Sequence, residues 1–228
     1  MSFSDLFHRR RKGETPEADT PVAASGPLHP SKALPKFLSA LSGRQQPMLL
    51  DLGPVVGSNV TFFGEQLGCK IFVENIYRDI DHHVREGKAA ELPAFLTARF
   101  PQENESVDGV LLWDVVDYLE KASAQALARQ IVRILRPGGV LFALFATTTQ
   151  QPGTPMEYTR YLVADRANLV HRPYPAARAR QRPWMNRDIE RMFEPLRVSE
   201  QFLLKTNLRE ALFRKPDAPA PPATPTST

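Results

Sequence analysis

Two carboxylates and two glycines near the front of the chain have the types and spacing that nucleotide binding requires. Asp51 closes a short apolar run, Met48-Leu49-Leu50. Gly53 and Gly57 stand in the turn that follows, ahead of a helix-like stretch from Val60 to Leu67. A strand, a glycine-bearing turn and a helix bring backbone close to a nucleotide. A second apolar run, Cys69 to Val73, ends at Glu74. An acidic residue at a second strand end, roughly 20 residues past the glycine turn, can accept hydrogen bonds from two ribose hydroxyls. A two-glycine turn is weak evidence alone; both carboxylates at successive strand ends strengthen it. Asp114, Asp117 and Tyr118 follow another apolar run and are candidates by position, since ligands bind beyond the carboxyl ends of strands in open α/β sheets.

The element that must position these groups is the block from Ser106 to Thr147. Val110-Leu111-Leu112-Trp113 reads as a strand buried on both faces. Leu127, Ile131 and Leu135 then recur at helical spacing, with Ala128 and Ile134 beside them. Ser123 is the expected cap of that helix, and Arg133 and Arg136 suit its negative end. Pro137-Gly138-Gly139 is the expected stop, and Val140 to Phe145 the next strand. Strand, helix and strand in about forty residues make a βαβ unit, hence a parallel sheet with a right-handed crossover.

Elsewhere the pattern predicts a helix over 31–42 at the sheet edge, helix over Tyr77 to Phe100, and a helix from Pro155 to Asn168 within a long polar stretch. A short helix capped by Asn186 follows, with Ile189, Met192 and Phe193 inward. Val198 to Leu204 and Leu208 to Phe213, separated by three residues, form a tight hairpin. Residues 1–30 read as a disordered arm, 31–215 as the folded domain and 216–228 as a Pro-rich tail.

Composition excludes several classes. The 228 residues are 42% hydrophobic, with a net charge of +4 that gives no bulk electrostatic case for nucleic acid. The one cysteine, Cys69, allows no internal disulfide and suits a reducing, cytoplasmic compartment. The longest apolar run falls far short of the roughly 20 residues a membrane helix needs. The start has its charges after its apolar residues and does not read as a secretory signal. His82-His83 lack carboxylate partners at ligand spacing, so no metal site is expected.

Three segments, Ser106-Val-Asp108, the Leu112-Trp113-Asp114 strand end and Arg133-Ile-Leu-Arg-Pro-Gly-Gly139, carry a resemblance. The chain resembles class I S-adenosylmethionine-dependent methyltransferases of the small type 11 kind, over residues 31–215. That resemblance implies a Rossmann-like α/β sandwich whose mostly parallel sheet ends in an antiparallel hairpin. It implies S-adenosylmethionine as cofactor, a small-molecule methyl acceptor, and no membrane partner. Cofactor binding would fall to Asp51, Gly53, Gly57, Glu74, Asn75, Trp113 and Asp114, with no catalytic residue assigned. The chain departs from the family's pattern at Val55, where the middle glycine of the motif would stand, and over Tyr77 to Phe100, where neither a third strand nor the acidic residue after it is legible.

Two other functions stay open at this point. The departures suit a methyltransferase-like fold that has lost its cofactor and serves as an interaction module. The arginines of 166–182 (Arg166, Arg172, Arg178, Arg180, Arg182), set among Tyr174 and Trp184, could instead grip RNA, phosphate or an acidic substrate.

Overall fold

The structure is a computed structural model that describes residues 26–181 and 183–217. Its centre is a six-stranded sheet built from β2 (Met48–Asp51), β3 (Lys70–Val73), β4 (Val107–Trp113), β5 (Leu135–Ala146), β8 (Arg197–Leu203) and β9 (Leu208–Arg214). The strand order is β3-β2-β4-β5-β9-β8, parallel from β3 to β5 and antiparallel from β5 to β8. This is the Rossmann-like sandwich with a closing hairpin that the resemblance implies.

Helices cover both faces, and strand alternation sorts the core accordingly. Leu50, Val110, Leu112, Leu141, Ala143 and Phe145 face α3 (Ile76–Arg85), α4 (Leu92–Ala98) and α5 (Lys121–Ile134). Their neighbours Leu49, Leu111, Trp113, Val140, Phe142 and Leu144 face α1 (Leu34–Ser42) and the segment after α2 (Gly57–Thr61). Burial on both sides explains why β4 and β5 read as continuous apolar runs.

The helix over 31–42 lies on the sheet face over β4 and β5, not at its edge. Gly109 makes the approach possible, because a Cβ there would meet Leu41 at 2.9 Å and Phe37 at 3.1 Å. The helical reading of 77–100 divides into α3 and α4, with Gly87 left-handed (φ 68°) in the break. No strand intervenes before β4 among the described residues.

Four expectations are corrected. Ser123 does not cap α5, which begins at Lys121 behind Glu120; Ser123 is buried inside the helix. Pro137-Gly138-Gly139 does not separate helix from strand: β5 already starts at Leu135, and Gly138 (φ 68°) turns within its irregular beginning. Asn186 is the first residue of α6 (Asn186–Met192) rather than its cap. The helix placed over 155–168 is a hairpin of β6 (Glu157–Val163) and β7 (Asn168–Pro175). Tyr-Thr-Arg-Tyr-Leu-Val favours a pleated surface, and Asp165 accepts from Ala167 N and Asn168 Nδ2 to close the turn.

The hairpin gains a third strand from β1 (Leu28–Pro30), residues assigned to the arm in the sequence reading. The rest of that arm and the tail beyond 217 lie outside the described residues.

Candidate functional site

β2 and β3 pair in register with Asp51 opposite Val73, and Glu74 N donates to Asp51 O at 2.7 Å. The two strand-end carboxylates therefore stand side by side, as the spacing implied. Their surroundings differ.

Asp51 is 2% exposed. Its Oδ1 accepts from Gly53 N at 2.9 Å and from Trp113 Nε1 at 2.7 Å. Burial pushes this carboxyl up to about 6, and the two donors hold it from going further. Trp113 has a left-handed backbone (φ 54°), a strained choice for a bulky residue, and its ring stacks on Tyr161 with centroids 5.2 Å apart. A Cβ at Gly53 would sit 2.9 Å from that indole. Glycine is required here because tryptophan covers it.

Gly57 is the first residue of α2, with open space where a Cβ would point. Val55 is 62% exposed and outside the left-handed region, so this turn accepts a β-branched residue at the position of the family's middle glycine. Val56 is buried against Leu162 and Val170.

Glu74 meets Arg99, which follows α4 in the segment that replaces a third strand. Arg99 Nη1 lies 2.7 Å from Glu74 Oε2, and its Nε donates to Asp79 at 2.8 Å. The Glu74 side chain keeps 20% exposure, and its other oxygen has no hydrogen-bond partner among the described residues. Asn75 caps α3, accepting from Arg78 N at 3.2 Å.

Asp114, fully buried, accepts from Tyr77 Oη at 2.5 Å and from Arg180 Nη2 at 2.7 Å. Arg180 Nε also donates to Tyr118 Oη at 3.1 Å. Tyr158 joins the cluster and donates to Asp81 at 2.5 Å, with its ring 4.6 Å from those of Tyr77 and Tyr118. Asp117 accepts from Ala146 N at 2.6 Å while its Oδ1 is buried without a partner. Burial, with Asp114 beside it, lifts the Asp117 carboxyl well above the usual range, toward the protonated form.

The arginines of 166–182 do not form one cluster. Arg180 is drawn into the strand ends, Arg178 pairs with Glu120 at 3.4 Å, and Arg172 stands opposite Arg160 in the hairpin. Arg166 is exposed at the turn, and Arg182 lies outside the described residues. Trp184 is buried and donates to Val116 O at 3.3 Å.

Sequence reasoning missed three contributions at the strand ends. Arg99 reaches the site from a segment read only as helix end, and Arg180, read only as one of a set of possible RNA- or acid-gripping arginines, pairs with Asp114. Asn59 ties α2 to β6, donating to Tyr161 O and accepting from Val163 N, each at 2.8 Å. Its one signal is a polar amide directly after the glycine turn. Asp108, quoted for the resemblance, is structural: it accepts from Met48 N at 2.7 Å and pairs with Arg44 and Arg136.

S-adenosylmethionine fits these residues unequally. At the ribose end, Glu74 presents a carboxylate oxygen that Arg99 leaves available. At the opposite end Trp113 occupies both Gly53 and Asp51, so the turn is closed in this conformation. Among the described residues no group of three or more His, Cys, Asp or Glu could hold a metal ion, and no helix is long and apolar enough to cross a membrane.

The family model described as a methyltransferase domain matches residues 50–143. No curated protein matches the chain. Among solved structures, the PH0226 protein from Pyrococcus horikoshii OT3 is 12% identical, with 81% of this chain and 92% of that chain covered and a TM-score of 0.45. The Burkholderia thailandensis 1,6-didemethyltoxoflavin-N1-methyltransferase, bound to 1,6-didemethyltoxoflavin and S-adenosylhomocysteine, is 14% identical, covering 82% and 78%, with a TM-score of 0.43. The glycopeptide N-methyltransferase MtfA complexed with S-adenosylmethionine is 15% identical, covering 80% and 92%, with a TM-score of 0.41. Such distant likeness carries no residue roles. Residues 50–143, which hold the glycine turn and both strand-end carboxylates, are thus similar to the methyltransferase-domain family.

Proposed function

We propose that the protein is a cytoplasmic S-adenosylmethionine-dependent methyltransferase that acts on a small-molecule acceptor. The observation that supports this most is the pairing of Asp51 and Glu74 at adjacent parallel strand ends, behind a glycine turn and inside the matched segment. The cofactor, when bound, supplies a methyl group already activated by its sulfonium, so alignment is the main demand on the protein. Glu74 would accept from the ribose hydroxyls while Arg99 fixes the carboxylate's orientation. Asn75 holds the start of α3 beside it. Gly53 and Gly57 bound the turn, and Asp51 becomes an acceptor for the cofactor's ammonium once the Trp113 indole moves aside. Asp114, held by Tyr77 and Arg180, keeps the far wall of the site rigid.

Titration calorimetry with S-adenosylmethionine and S-adenosylhomocysteine tests this reading. Binding at submillimolar concentration is expected. No heat and no melting shift at millimolar ligand would overturn it.

A second reading, a domain that has lost its cofactor and serves as an interaction module, draws on the indole over Gly53 and on Val55. Val55→Gly separates the two. A wild type that does not bind and a variant that does would mark a decayed site. A wild type that already binds well defeats the second reading.

A further inference from the structure

Beyond the strand ends, β6, β7 and the loop near 150–155 line an open cavity of about 300 Å³. That is at the lower end of small-molecule sites. Arg172 and Arg180 both line it, with His171, Tyr158 and Gln150 between them, and the acidic residue in the lining is the exposed Glu157. Two guanidinium groups thus stand in the lining, one of them paired with Asp114.

Arg180 is held in place for such a role. Asp114 takes one terminal nitrogen, Tyr118 takes Nε, and Gln150 accepts from its backbone N at 3.1 Å. Gln150 is itself fixed, donating to Pro155 O at 2.8 Å. The remaining terminal nitrogen, Nη1, has no hydrogen-bond partner among the described residues, and a guanidinium fixed in this way loses little freedom when it binds an oxyanion. Arg172 is also engaged with the protein and lines the same pocket. His171, stacked on His29 at 4.0 Å, is pushed down to about 4 by burial, His29 and Arg180. It is neutral at physiological pH and can donate one hydrogen bond rather than a second charge.

We propose that this cavity binds a small molecule through a carboxylate or phosphate group, gripped by Arg180 with Arg172 in the same lining. The assignment stands with or without a bound cofactor, and is independent of the methyltransferase reading.

The full chain is titrated with benzoate, phenyl phosphate and uncharged benzamide, followed by ligand-observed NMR or calorimetry. At least one anion should bind about tenfold or more tighter than benzamide, and which one distinguishes carboxylate from phosphate. Arg172→Gln, a change in a partly exposed strand residue, should weaken that anion several-fold with little change in melting temperature. Arg180→Gln combined with Asp114→Asn removes the buried charge pair together and should abolish the preference for anions. If that double variant does not fold, the wild-type preference and Arg172→Gln decide the matter. Benzamide binding as well as the anions, or an anion whose affinity is indifferent to Arg172→Gln, overturns the proposal.

Discussion

Asp51 and Glu74 stand at neighbouring ends of paired strands, yet one is sealed and the other is accessible. Asp51 spends its carboxylate on the protein's own Gly53 and Trp113. Glu74 shares one oxygen with Arg99 and keeps part of its surface in water. The same residue type at equivalent positions is thus a structural acceptor in one case and a candidate ligand contact in the other. What separates them is the side chain arriving from the next element: an indole from β4, a guanidinium from the end of α4.

The contrast can be broken hardest at Asp114, on the sealed side. Asp114→Ala leaves the Arg180 guanidinium and the Tyr77 hydroxyl without their acceptor. A loss of about 3 kcal/mol is expected, because removing one partner of a buried pair strands the other. Urea denaturation reads this directly, and a loss below about 1 kcal/mol would show that the network contributes little to stability.

Next in size is the pH dependence of Asp51. Its folded value of about 6 lies above an ordinary value of 3.8. Between those limits the native state holds more protons than the unfolded chain, so stability falls as pH rises through the window. The cost is fully present above about pH 6 and amounts to roughly 2–3 kcal/mol. Asp51→Asn keeps an oxygen for Gly53 and Trp113 but removes the titration. It should flatten the melting-temperature profile across the window and raise stability at neutral pH. Asp117, shifted in the same direction, leaves some residual slope. Profiles of identical steepness in variant and wild type would refute the assignment.

The two glycines provide a sharper test of what closes the turn. Gly53→Ala forces a methyl into the Trp113 ring and should cost about 1–3 kcal/mol, as overpacking does. Gly57→Ala meets open space in the first turn of a helix and should be neutral or stabilising by a few tenths of a kcal/mol. Equal effects in thermal melts would contradict the close approach.

The smallest expected change is in binding. Glu74→Ala should leave stability within about 1 kcal/mol, since the ion pair it breaks is partly solvated. It should weaken S-adenosylmethionine at least about tenfold, or 1.4 kcal/mol. Unchanged affinity would remove Glu74 from the ribose role, and unfolding would make it structural.

The sheet was legible because β4 and β5 are buried on both faces, and Leu-rich runs between a helical period and glycines have few other interpretations. The strand-end carboxylates were legible for the same reason, as the first polar residues after apolar runs. The hairpin at 157–175 was not. Tyr158, Tyr161 and Leu162 are compatible with helix by spacing, and only the Asp165 turn and pairing with β1 decide for strand. Nor was the closure of the turn visible. Trp113 reads as the last residue of a buried strand, and its left-handed backbone, which turns the indole onto Asp51, leaves no local mark. Arg99 and Arg180 reach the site through tertiary packing that the patterns of their own segments do not specify.

The missing third strand also has a consequence for self-association. Among the described residues β3 ends the sheet, so one side of its backbone lacks a strand partner there. Exposed sheet edges invite pairing with another chain, and proteins guard against this with short edges and charge. Here the edge has four residues, roughly 13 Å of backbone, and opens on Lys70. A stretch so short offers too few ladder hydrogen bonds to hold an incoming strand, and the lysine disfavours stacking a second copy in register. Dispensing with the outer strand is tolerable in this fold because the strand thereby exposed is too brief to act as a template.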